Sequence, residues 1–175
     1  MGKKVAVIAV NPVNGFGLFQ YLETFFEKGI SYKLFAVSNS KTIRTNSGIS
    51  LQTDDIIANL KGHASEYDAL VFACGDAVPV FKDHAGEPHN LDMLTVIREF
   101  AAQHKLLIGH CAAGLMFEIA GVSEGKKLAV HPLAKTAIQK GIATDDAVTV
   151  DGNFYTAQCE HTLPSLLPEV LKALQ

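Results

Sequence analysis

The sequence predicts an α/β protein, a mostly parallel sheet with helices on both faces. Three observations carry this. Short apolar, β-branched runs recur along the chain, at 3–10, 32–37, 69–73, 106–109 and 127–130. Segments of helical apolar spacing fall between several of them, and strands that alternate with helices pair in parallel. Nearly half of the 175 residues are hydrophobic, enough for a substantial core in one domain spanning 1–175.

The elements follow in order. Residues 3–10 form a continuous β-branched run, expected of a strand covered on both faces. Residues 11–15 read as a turn. Over 16–28, Leu18, Phe19, Leu22, Phe25 and Phe26 make an amphipathic stripe that Gly29 stops. A second strand covers 32–37. Residues 42–53 read as irregular or hairpin-like around Asn46-Ser47-Gly48, and 54–60 as a short helix capped by Thr53 or Asp54. A third strand at 69–73 ends in Cys74-Gly75-Asp76. Residues 77–89, broken by Pro79, Gly86 and Pro88, read as a solvated loop that carries His84, Glu87 and His89. Asn90 caps a helix with Met93, Leu94, Ile97, Phe100 and Ala101 on one side. A fourth strand at 106–109 runs into a helix that ends near Ala120, with Gly121 as its cap. A fifth strand covers 127–130, and His131-Pro132 can start a helix with proline at its first position. Strands at 147–150 and 154–157 flank Asp151-Gly152-Asn153, a strong hairpin signal. Pro168 lies within the last apolar stripe, so that helix starts near Ser165 or is kinked.

The chemistry concentrates at Gly109-His110-Cys111-Ala112-Ala113-Gly114. A strand that turns sharply into a helix lifts the residue at the turn out of the sheet, the geometry of a nucleophile elbow. Cys111 would then sit at a helix N-terminus, where free amides and the helix dipole favour a thiolate. The alternative is that Cys111 is a small buried hydrophobe; small residues on both sides of the turn favour the reactive reading.

In an open parallel sheet, ligands bind beyond the carboxyl ends of the strands. All three cysteines and His110, His131 and His161 fall at such ends. The amides of Gly75 and Ala112 are candidates for an oxyanion hole; Gly75 could equally serve only to turn the chain. His131 is a candidate general base, or a histidine bonded locally at a helix start. Asp76, His161 and, after the first strand, Gly17 are expected to line the same end. His110 flanks the nucleophile, but side chains alternate along a strand, so it is expected to pack behind the elbow. Cys74 and Cys159 are candidate resolving thiols. With Cys111 and His161 they form a minority metal alternative, although their spacing matches no zinc pattern.

The totals narrow the class. A formal charge of −3 and the absence of a Lys/Arg cluster argue against nucleic acid. No apolar run approaches the ~18–20 residues of a membrane span. An odd number of cysteines in a chain of this size points to a reducing, cytoplasmic setting.

At the elbow, at Val130-His131-Pro132-Leu133-Ala134-Lys135 and at Asp151-Gly152-Asn153-Phe154-Tyr155-Thr156-Ala157, the chain resembles the ThiJ/PfpI family of the class I glutamine amidotransferase-like superfamily. The resemblance covers essentially the whole chain. It implies a flavodoxin-like three-layer sandwich and a homodimer. Cys111 would be the reactive thiol, Gly75 and Ala112 the oxyanion amides, and His131 would lie near the sulfur. The chain also departs from the family pattern. The glutamate that the family places after its first strand falls at about Gly17 here, and no acid lies between Asn11 and Tyr21. Ala73-Cys74-Gly75 stands for Pro-Gly-Gly, Gln158-Cys159 for Arg-Gly, and His110 for an apolar residue. Ala112 stands where protease members carry a histidine after the cysteine. The expectation is a cysteine-dependent hydrolase or carbonyl-processing enzyme acting on a small molecule, with no cofactor. The competing expectation is a redox or metal sensor that uses Cys111 with Cys74 and Cys159.

Overall fold

The computed structural model describes residues 2–175. Its centre is a seven-stranded sheet. The strands are β1 (Lys4–Ala9), β2 (Ser31–Ala36), β5 (Asp55–Ile56), β6 (Ala69–Ala73), β7 (Leu106–His110), β10 (Val148–Asp151) and β11 (Phe154–Ala157). Their order is β10-β11-β7-β6-β1-β2-β5, and every neighbouring pair is parallel except β10–β11. The central strands are fully buried, as their unbroken apolar runs require.

Helices cover both faces. On one, α1 (Gly15–Glu27) and α5 (Leu163–Ala173) bury Leu18, Tyr21, Phe25, Leu166 and Val170 against Val5, Val7 and Ile108. On the other, α3 (Pro88–Ala102) and α4 (Ala113–Ala120) bury Ile97, Phe100, Met116 and Phe117 against Ile8, Phe72 and Leu107. The alternation of inward side chains along each strand divides the core into these two halves. The result is the expected three-layer sandwich.

Several local expectations are corrected. Residues 55–56 are the edge strand β5 and 57–59 a 3-10 turn, not a helix. The proposed caps are engaged elsewhere: Asp54 accepts from the Leu34 amide at 2.8 Å, and the Thr53 hydroxyl donates to the Lys41 carbonyl. Residues 42–52, by contrast, form the expected hairpin, of β3 (Thr42–Arg44) and β4 (Ser50–Gln52). The 77–89 loop contains one helical turn, α2 (Phe81–His84), and α3 begins at Pro88 rather than after Asn90, with proline in its first turn. The strand at 127–130, β8 (Lys127–Ala129), does not join the main sheet; it pairs in parallel with β9 (Ile142–Thr144), which the pattern did not reveal. Helix α5 starts at Leu163 and runs through Pro168. No helix among the described residues is long and apolar enough to cross a membrane.

Candidate active site

The site is built on a strained turn. Cys111 sits between β7 and α4 with φ +58°, a left-handed conformation that costs a residue with a Cβ about 1–3 kcal/mol. Backbone bonds hold it there. Its amide donates to the Ala157 carbonyl at 3.0 Å, and its carbonyl accepts from the His131 amide at 2.9 Å. The flanking glycines make room for the turn. A Cβ on Gly109 would overlap Ala113 of the helix, and one on Gly114 would lie 2.5 Å from Val130. The small residues read from the sequence thus let α4 start hard against β7 and the segment after β8.

Two features beside Cys111 favour its thiolate. The Cys74 thiol at the end of β6 and the Ala112 amide both face the Cys111 sulfur. Together they hold the Cys111 thiol below its ordinary value, against partial burial and the nearby Glu160 and Asp76 carboxylates. Cys74 moves the other way: the facing Cys111 sulfur and its own burial push it well up, so it stays protonated. Cys74 is 3% exposed, whereas Cys111 is only partly buried.

A cleft of about 1020 Å³ opens over Cys111. Gly75, Asp76, Ala112, His131, Cys159 and His161 line it, along with Cys74 and His110. Much of the remaining wall is apolar, from Val78, Phe81, Leu115, Met116, Ile119 and Leu133. Asn14, Asn46 and Glu160 also line it; Asn14 caps α1 and Asn46 belongs to the turn of the β3–β4 hairpin, structural roles that hide a place in the cleft from a reading of the sequence.

Gly75 has a steric reason to be glycine. A Cβ there would run into the backbone of Pro12, Val13 and Asn14, the loop that enters α1. The same close approach lets the Asn14 amide donate to the Cys74 carbonyl at 2.8 Å. The Gly75 and Ala112 amides both point toward the Cys74 sulfur. His131 caps the 3-10 turn Pro132–Ala137 and its Nδ1 accepts from the Leu133 amide at 3.2 Å. Its ring proton therefore resides on Nε2, which makes the side chain a donor. His161 is tied to α1 by a ring contact with Phe16 at 5.5 Å between centroids.

Gly17 and His110 form one unit. Gly17, in the first turn of α1, does not line the cleft. The His110 ring fills the space beside it, so any Cβ on Gly17 would overlap His110 Nε2. His110 is 1% exposed, and burial lowers its pKa to about 4 despite the carboxylate of Glu160. Its Nδ1 lies 3.1 Å from the Tyr21 hydroxyl, and its Nε2 has no partner among the described residues. If the Tyr21 hydroxyl donates to Nδ1, one buried polar group is left over; the opposite assignment leaves two. The first arrangement is therefore favoured, with the proton on Nε2.

Among the described residues no group of three or more His, Cys, Asp or Glu side chains converges to hold an ion. Cys74 is directed at Cys111, while Cys159 belongs to a turn whose own backbone bonds Thr162.

A mostly parallel sheet between helical layers, with a strained cysteine at a strand-to-helix turn, places the chain in the class of three-layer α/β sandwiches. The model of the DJ-1/PfpI family matches residues 3–173, and the chain belongs to that family. It is 63% identical to the protein ppBat of Bacteroides thetaiotaomicron over 175 residues, the whole of both chains. A crystal structure described as the "putative protease I" from Bacteroides thetaiotaomicron superposes with a TM-score of 0.98 at 63% identity, covering 99% of this chain and 100% of that one. Drosophila melanogaster DJ-1beta shares the fold at a TM-score of 0.84 and 20% identity, over 99% of this chain and 91% of that one.

Proposed function

We propose that the protein is a cysteine-dependent hydrolase or carbonyl-processing enzyme acting on a small substrate with an apolar portion. The single observation that carries this is the strained Cys111, open to the cleft at the turn between β7 and α4. The Cys111 thiolate attacks an electrophilic carbonyl carbon. It needs no separate base, because Cys74 and the Ala112 amide already favour its ionised form. The amides of Gly75 and Ala112 receive the oxyanion. His131, with its proton on Nε2, donates to the leaving group. The apolar wall from Leu115 to Ile119 takes the hydrophobic part of the substrate.

The same reading places the chain in a reducing compartment, where its three free cysteines persist. It also makes the chain a homodimer. Phe16, Phe19 and Phe26 of α1 are 56%, 40% and 74% exposed, and a second copy would cover that apolar face.

The test is hydrolysis of a panel of small activated acyl esters by the wild type and Cys111→Ser. The reading expects turnover in the wild type, a loss of at least about a hundredfold in the variant, and a covalent acyl adduct on Cys111 by mass spectrometry. Equal rates in both proteins contradict it.

A further inference from the structure

We infer that Cys74 is a resolving thiol for Cys111, so that a hydroperoxide converts the pair into a cross-strand disulfide. The inference rests on the reading of Cys111 as an ionised nucleophile and adds a second chemistry to the same sulfur.

The sheet places the two cysteines. In the β6–β7 ladder Val71 is abreast of Ile108 and Phe72 abreast of Gly109. Continued two residues past this ladder, the same register would bring Cys74 abreast of Cys111. Neighbouring strands run about 4.7–4.9 Å apart, within the roughly 4.4–6.8 Å that a disulfide needs between Cα atoms. The side chains also share a face. Phe72 and Cys74 belong to the core half beneath α3 and α4, and Cys111 packs against that half. Both residues line the same cleft. Cys159 also lines the cleft, but its turn follows β11 on the other side of β7, and its amide and carbonyl are both bonded to the Thr162 hydroxyl.

The protonation state of Cys111 suits the first step; once that sulfur is a sulfenic acid, its hold on the Cys74 proton, the main reason Cys74 stays protonated, is gone. The Cys111 thiolate attacks one oxygen of the hydroperoxide. The O–O bond breaks, alkoxide or hydroxide leaves and takes a proton from solvent, and Cys111 becomes a sulfenic acid. The Cys74 sulfur then attacks the Cys111 sulfur. The S–S bond forms, the S–O bond breaks, and the departing hydroxide takes the Cys74 proton to leave as water. The hydroperoxide is reduced to alcohol or water while two thiols are oxidised to one disulfide. A small-molecule dithiol added afterwards reverses this and restores the nucleophile.

The experiment treats the full chain with hydrogen peroxide, blocks remaining thiols and maps peptides without reduction. A parallel sample measures iodoacetamide labelling of Cys111. We expect a Cys74–Cys111 linked peptide that dithiothreitol removes, formed equally in Cys159→Ser. In Cys74→Ser we expect sulfinic acid on Cys111 instead. If Cys111 labels rapidly but peroxide gives sulfinic acid in the wild type with Cys74 still free, or links Cys111 to Cys159, the inference is overturned and the nucleophile reading stands. If Cys111 neither labels faster than a free thiol nor oxidises, both fail. The wild-type map decides the matter even if Cys74→Ser does not fold.

Discussion

His110 and Gly17 show how one residue's identity can depend on another far along the chain. The imidazole occupies the volume that a side chain at 17 would need, so the two positions are coupled sterically. Gly17→Ala alone should destabilise the protein by about 1–3 kcal/mol, the usual cost of overpacking. In a His110→Ala background the same change should cost far less, because the ring it strikes is gone. Denaturant melts of the four proteins give the coupling energy. Additive effects would mean that the ring does not fill that space. The sequence carried part of this. Alternation along β7 sends His110 to the side away from the core half that Cys111 packs against, and the ring does lie against Tyr21 of α1. What no local pattern carried was the contact between residues 17 and 110, which exists only once α1 is laid on the sheet.

At the scale of elements, the elbow and the strands that carry it were legible because their constraints are local. Gly109 and Gly114 are small for neighbours a few residues away or one element away, and the β-branched runs sit in the central strands. Residues 127–144 were less legible. Their shape comes from Glu118 on α4, whose carboxylate accepts from the amides of Gln139, Lys140 and Gly141 at 2.9, 2.6 and 3.0 Å and from the Ser123 hydroxyl. Burial raises the Glu118 pKa, but the Ser123 hydroxyl and the three amides outweigh it and bring the group down to about 2. A helix glutamate gives no sign in sequence that it organises a loop some twenty residues away. Glu118→Ala should cost about 1–2 kcal/mol, the worth of charge-assisted hydrogen bonds discounted for partial exposure. The contribution is present above the ordinary pKa of glutamate and fades as pH falls toward about 2. Wild type and variant should therefore converge in stability in acid, and a constant gap between their melting curves would contradict this.

For the whole molecule, the fold brings residues from six separate stretches of chain to one rim. The position of each strand's end was readable, since apolar runs stop where the polar and sulfur-bearing residues begin. The pairing order was not, because it depends on contacts between distant segments, and β8 left the sheet for the same reason. The same arrangement sets a global response to acid. His110 is buried neutral with its pKa near 4, whereas in the unfolded chain it titrates at about 6.5. Between those values the unfolded state binds the extra proton, so stability falls as pH drops from about 6.5 to 4, by about 3 kcal/mol in all. His110→Phe should remove that part of the slope in urea melts taken across this range. An unchanged slope would place the acid sensitivity elsewhere.

The account as a whole stands on the ionisation of one sulfur. The direct measurement is the rate of Cys111 alkylation by iodoacetamide as a function of pH, read site by site by mass spectrometry. An inflection below the ~8.5 of a free thiol is expected, shifted upward in Cys74→Ala. An inflection at or above the free-thiol value, indifferent to Cys74, would contradict it.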